Sequence, residues 1–121
     1  MKKTVLIADD SATIRKLVTL SLKAMGTNVI AACDGMEALE LLPTVETDLI
    51  ITDLNMPNVD GYELIKSVRE NAEYDEVPII ILTSEKEQAD INRGMDAGAS
   101  SYLIKPFVSK KLQYEVSKYI S

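Results

Sequence analysis

Histidine is absent from the 121 residues. That excludes imidazole acid–base catalysis, histidine-bound metals and a phosphohistidine within the chain. Any metal chemistry falls to oxygen ligands, the preference of Mg²⁺, Ca²⁺ and Mn²⁺. Cys33 is the one cysteine, so no intrachain disulfide forms. This fits a reducing, cytoplasmic setting, and Cys33 itself reads as a small core residue with no redox role. No apolar stretch approaches the roughly 20 residues of a membrane span. No secretory leader is legible either: the run at 5–8 stops at two aspartates. Positive charge is scarce, with 13 Lys and Arg against 19 Asp and Glu and a net charge of -6. Without a basic footprint, direct binding to nucleic acid or anionic lipid is not expected.

What remains is an ordinary globular composition, 46% hydrophobic and 26% charged, in one domain's length. A chain of this size buries a core without disulfides or structural metals. The reading is a single domain spanning 1–121, with no repeat or linker and no room after the last helix for an output domain.

Five short apolar runs, at 4–8, 28–32, 48–52, 78–82 and 101–104, are continuous rather than alternating. That is the pattern of strands buried on both faces of a parallel sheet. Helical spacing fills the gaps. Ile14, Leu17, Val18, Leu22 and Met25 mark a first helix that Gly26 stops. Ala38, Leu39 and Leu42 mark a second, limited by Pro43; Leu64, Ile65 and Val68 mark a third. Ile91 and Met95 mark a fourth, weakened by Gly94, and Val108, Leu112, Val116, Tyr119 and Ile120 mark the fifth. Alternation of this kind predicts an α/β fold, an open five-stranded parallel sheet with helices on both faces.

The chemistry-bearing residues follow the strands. The first run ends at Asp9-Asp10, the third at Asp53-Leu54-Asn55-Met56-Pro57, the fourth at Thr83-Ser84 and the fifth at Lys105-Pro106. Ligands of open α/β sheets bind at the carboxyl ends of strands, where strand order reverses. In the order 2-1-3-4-5, Asp9, Asp10 and Asp53 would converge there, with Thr83 and Lys105 along the same edge. Three carboxylates and one ammonium sum to a charge of -2, which a divalent cation would neutralise. Mg²⁺ suits such a set because it takes few carboxylates and accepts phosphate oxygens; Mn²⁺ is its natural substitute. A carboxylate beside it can act as a nucleophile and form an aspartyl-phosphate.

Taken singly, each feature also has a plain structural reading. Asp10 or Ser11 would cap the first helix, Asp10 serving as both cap and ligand. Thr83 or Ser84 would cap the fourth, Lys105 would be a solvated charge, and Tyr102 would be core. Lys110, Lys111 and Lys118 read as a solvated face near a helix C-terminus. A flavin carrier shares the strand order, but Asp9-Asp10 after the first strand would repel its phosphate. A phosphatase with an aspartate nucleophile would need more chain to enclose a substrate.

Together, Asp9-Asp10, Asp53 through Pro57 with Gly61, Thr83-Ser84, Tyr102 and Lys105-Pro106-Phe107 resemble the receiver domains of two-component response regulators, most closely the single-domain chemotaxis regulators. The resemblance covers the whole chain and implies the 2-1-3-4-5 order. It implies that Asp53 is the phosphoacceptor, with Asp9, Asp10, Asp53 and the Asn55 backbone carbonyl holding Mg²⁺. Thr83 and Lys105 would contact the phosphoryl group, and Lys105-Pro106 would be a cis bond. Thr83 and Tyr102 would form the switch. Asn55 and Glu85 would set the lifetime, a pair found in fast-decaying chemotaxis regulators. The implied partners are a sensor histidine kinase or its phosphotransfer domain, and an output protein on the face of the fourth helix, fifth strand and fifth helix. Ile91, Met95, Tyr102, Tyr114 and Lys118 would make the contacts. The chain would be a monomer that catalyses only its own phosphorylation and dephosphorylation. A receiver cut from a larger DNA-binding regulator and a phosphorelay intermediate remain alternatives.

Overall fold

The computed structural model describes residues 2–84 and 88–120. Its strands are β1 (Thr4–Ala8), β2 (Asn28–Ala32), β3 (Leu49–Thr52), β4 (Ile79–Thr83) and β5 (Ser101–Ile104). Its helices are α1 (Ala12–Lys23), α2 (Gly35–Leu41), α3 (Gly61–Arg69), α4 (Gln88–Ala97) and α5 (Ser109–Ser117). The five strands pair in parallel in the order β2-β1-β3-β4-β5.

Local chemistry sets the boundaries. Ser11 caps α1, its Oγ accepting from the Ile14 N–H at 3.2 Å. Asp10 is therefore not the cap. Asp34 and Asp60 cap α2 and α3 by accepting from Glu37 and Glu63, three residues on. Gly26, at φ +75, ends the turn after α1, and Met25 falls outside the helix. Asp48 stands just before β3, where its carboxylate accepts from the Thr4 N–H at 2.8 Å. Pro78, with no N–H to give the ladder, also stays outside, and β4 instead runs on to Thr83.

Alternation splits the core in two. Leu6, Ala8, Ile50, Ile79 and Ile81 face α2 and α3 through Ala38, Leu64, Ile65 and Val68. Val5, Ile7, Leu49, Ile51, Ile80 and Leu82 face α1 and α5 through Val18, Leu22, Leu112 and Val116. Each fully buried Leu or Ile contributes roughly 1.5–3 kcal/mol. β1, β3 and β4 are buried on both faces; β2 and β5, at the edges, are partly exposed although their sequences read alike. α4 lies on the α3 side, with Gly94 over Ile81 and Leu54.

Several sequence readings change. Cys33 is exposed, beside Asp34 and Glu37, and not in the core. Local desolvation and those two carboxylates push its thiol up, away from the reactive thiolate. Ile91 is buried and so offers no partner contact, whereas Tyr102 and Tyr114 are exposed. Lys110 and Lys111 lie in the first turn of α5, and only Lys118 sits at its C-terminal end.

Candidate functional site

Register brings the site together. Ala8 pairs with Thr52, so Asp9 and Asp53 leave adjacent strands at one level. Backbone bonds carry that alignment past the strand ends: the Asp53 N–H donates to the Ala8 carbonyl at 2.9 Å, and the Asp9 N–H to the Ala32 carbonyl at 3.1 Å. On the other side Thr83 pairs with Ile104, and the Lys105 N–H donates to the Thr83 carbonyl at 2.8 Å. All of these residues sit at the carboxyl edge of the sheet.

The Lys105 ammonium reaches back across this edge. It lies 2.7 Å from Asp9 Oδ2 and 3.1 Å from Asp53 Oδ2. Asp9 is fully buried and Asp53 nearly so. The other carboxylate oxygens are also held: Asp53 Oδ1 accepts from the Leu54 N–H at 2.7 Å, and Asp9 Oδ1 from the Ser11 N–H at 2.9 Å. Burial raises the Asp53 pKa, the Lys105 bond opposes the rise, and Asp9 adds to it. Burial pulls the Lys105 pKa down, but its bonds to Asp9 and Asp53 outweigh that and leave it raised.

Asp10 is exposed at the mouth of the site. Asp9, Asp10 and Asp53 can each offer one carboxylate oxygen, all within 4.8 Å of one another. Lys105 balances one of the three charges. The hard, oxygen-only donor set that remains fits a divalent cation such as Mg²⁺.

The other expected residues divide. Thr83 is buried at the end of β4. Asn55 is exposed in the loop after β3. Lys105-Pro106 is cis. Tyr102 sits on β5 opposite Ile81, on the sheet face away from Leu103 and hence on the α4 side. Glu85 lies outside the described residues.

Two supports, Arg15 and Gly35, lie outside the sequence reading, whereas Gly61 is part of its motif. The Arg15 guanidinium donates to the Asp9 carbonyl at 2.8 Å and fixes the turn between β1 and α1. The loop after Asp53 is pinned at both ends by glycine. A Cβ on Gly61 would meet the Asp53 carbonyl, and one on Gly35 the Val59 carbonyl. Arg15 carried a faint signal, one helical turn past Ser11; Gly35 carried none.

The response regulator receiver domain profile matches residues 5–117. This chain belongs to that family. The receiver is 40% identical, over 95% of its length, to a "Probable transcriptional regulator ycf27" of Guillardia theta, of which it covers 44%. It thus spans about half the length of the curated relatives it matches first. Its fold superposes on chemotaxis protein CheY4 of Vibrio cholerae with a TM-score of 0.94, at 36% identity and covering 99% and 100% of the two chains. It also superposes on the receiver domain of sensor histidine kinase PA1611 from Pseudomonas aeruginosa, with a magnesium ion in the active site cleft, at a TM-score of 0.90 and 28% identity, covering 99% and 98%. Among the described residues, no helix of the receiver is long and apolar enough to cross a membrane.

Proposed function

We propose that the receiver accepts a phosphoryl group on Asp53 from a phosphohistidine of a sensor histidine kinase or its phosphotransfer domain. The modified chain then presents the α4, β5 and α5 face to an output protein. The observation that carries this reading is the approach of Lys105 to both Asp53 and Asp9 at the carboxyl edge of the sheet, with Asp10 beside them.

In the transfer, an Asp53 oxygen bonds to phosphorus and the P–N bond breaks, returning its electron pair to the donor imidazole. The Leu54 N–H holds the carboxylate in place, so little reorientation precedes attack. Lys105 offsets the negative charge of the incoming phosphoryl oxygens, and the Thr83 hydroxyl donates to one of them. Mg²⁺, or Mn²⁺ in its place, would be held by Asp9, Asp10, Asp53 and the Asn55 backbone carbonyl. When bound, it supplies charge neutralisation. The magnesium in the cleft of the related PA1611 receiver supports that assignment. The chain catalyses only its own phosphorylation and dephosphorylation.

Thr83 and Tyr102 stand on neighbouring strands, on the α4 side of the sheet. A phosphoryl group that draws the Thr83 hydroxyl toward it frees space into which the exposed Tyr102 ring can turn. The pathway is chemotaxis or motility, supported by the match to CheY4 along the whole of both chains. The half-length match to transcriptional regulators favours a second reading, a receiver module of a longer DNA-binding protein.

Incubation with acetyl phosphate tests the function. One phosphoryl group should be incorporated with Mg²⁺ present, and none with chelator or in Asp53→Asn. Metal-independent labelling would overturn the reading.

A further inference from the structure

A second contact joins the candidate site to α4, and it does not pass through Thr83. It starts at Gly61, the first residue of α3. The Gly61 N–H donates to the Leu54 carbonyl at 2.9 Å, and its Cα packs so closely on the Asp53 carbonyl that a Cβ would not fit. The start of α3 therefore follows any shift of the Asp53 loop. The next residue, Tyr62, points across to α4. Its hydroxyl donates to the Asp90 carbonyl at 3.2 Å, and the Arg93 guanidinium lies 3.9 Å from its ring centroid. Both contacts are made to one turn of α4, beside the point where Gly94 rests on Ile81. Around this bridge the helices part over a cleft of about 590 Å³, lined by Asp60, Glu63, Lys66, Asp96 and Ala97, which leaves α4 room to move. The far end of α4 is tied down, since Arg69 of α3 donates to the Gly98 carbonyl at 3.0 Å and the Tyr74 carbonyl at 2.8 Å.

We infer that Tyr62, with Arg93 and the Asp90 carbonyl, is a latch holding the middle of α4 to α3 in the unmodified protein, and that events at Asp53 loosen it through Leu54 and Gly61. The inference deepens the proposed function, because it gives that site a second line to the output face. The Arg69 anchor fixes the C-terminal end of α4, so a released helix swings at its N-terminal half.

Amide hydrogen exchange on the unmodified full chain tests the latch without phosphorylation. Tyr62→Leu and Arg93→Ala should each speed exchange of the α4 amides about two- to fivefold, which is what ~0.5–1 kcal/mol of exposed cation–π attraction amounts to. Amides of β1 and α1 should be unaffected. The double variant should exchange no faster than the faster single variant, because the cation–π contact that Arg93→Ala removes is already lost in Tyr62→Leu. Tyr62→Phe, which keeps the ring and loses the hydroxyl, should fall between wild type and Tyr62→Leu. Unchanged α4 exchange in the single variants, or strictly additive effects in the double, would overturn the latch. Beryllofluoride with Mg²⁺, an analogue of the phosphoryl group, tests the coupling. It should speed α4 exchange in wild type and do so less in Tyr62→Leu, and equal gains would overturn the coupling. Fluoride that binds to none of the proteins by ¹⁹F resonance would overturn the phosphoryl reading instead, and the first comparison would still decide the latch.

Discussion

Asp53 is buried beside a second buried carboxylate, and Lys105 only partly offsets the cost of charging it. Its pKa is raised, so the folded state holds this proton more tightly than the unfolded chain does. The stability it contributes is complete below about 3.8, the ordinary aspartate value, and is lost as pH rises through the raised value. Lys105 carries the same sign at the alkaline end: its contribution is present below 10.5 and is lost as pH climbs through its raised value. Asp53→Asn removes this loss on rising pH. The variant should be more stable than wild type at neutral pH by on the order of 1 kcal/mol. Urea denaturation as a function of pH checks this, and the gap should close as pH falls toward the ordinary aspartate range. A gap independent of pH would contradict the electrostatic cause. Most of this site is legible in the sequence because its polar residues follow immediately after apolar runs. Cys33 follows one too, at the end of β2, and composition alone could not show that its side chain lies outside the core. Ile91 was misread in the opposite sense: its side chain is spent on the core and not on a partner.

Among the elements, α3 and α4 show how differently two glycines can matter. A side chain on Gly61 would collide with the backbone of Asp53 and Leu54, which cannot turn aside. One on Gly94 would meet the tip of Ile81, which can change rotamer, and alanine also favours the helix by about 1 kcal/mol. Gly61→Ala should therefore destabilise by about 1–3 kcal/mol, the usual cost of overpacking. Gly94→Ala should cost clearly less, and chemical denaturation of the two ranks them. The reverse ranking would mean that the Asp53 loop is less tightly held than its contacts imply. The sequence pattern marks Gly94 as a weak point of a helix; the fold makes it also a place where α4 packs directly on Ile81 of β4. Such close approaches belong to packing between distant segments, which local periodicity does not encode. The same reason separates β2 from β1. Their apolar runs look alike, yet only the strand order decides which one lies at an edge. Of the three lysines expected near the C-terminal end of α5, only Lys118 lies there; Lys110 and Lys111 fall in its first turn.

For the whole molecule, the strand order is what turns scattered aspartates into one site, and it was legible through the family resemblance and not from periodicity. A cation bound there should stabilise the fold by linkage, by about 2.7 kcal/mol at 100 times its Kd. Millimolar Mg²⁺ should accordingly raise Tm in wild type and lose that effect in Asp9→Asn and Asp10→Asn; an unfolding curve indifferent to Mg²⁺ would count against the site. Lifetime separates the two pathway readings. A chemotaxis regulator should lose its phosphoryl group in seconds to minutes, and a lifetime of many hours would favour a gene-regulatory receiver or a relay intermediate. The central claim is narrower than either pathway: one aspartate carries the phosphoryl group. Borohydride reduction of the freshly phosphorylated protein, followed by peptide mass spectrometry, tests it most directly, because an acyl phosphate is reduced to an alcohol at the modified carboxylate. The expected result is homoserine at position 53 alone, dependent on Mg²⁺ during phosphorylation. Reduction at Asp9 or Asp10, or at another residue with Asp53 intact, would contradict the assignment.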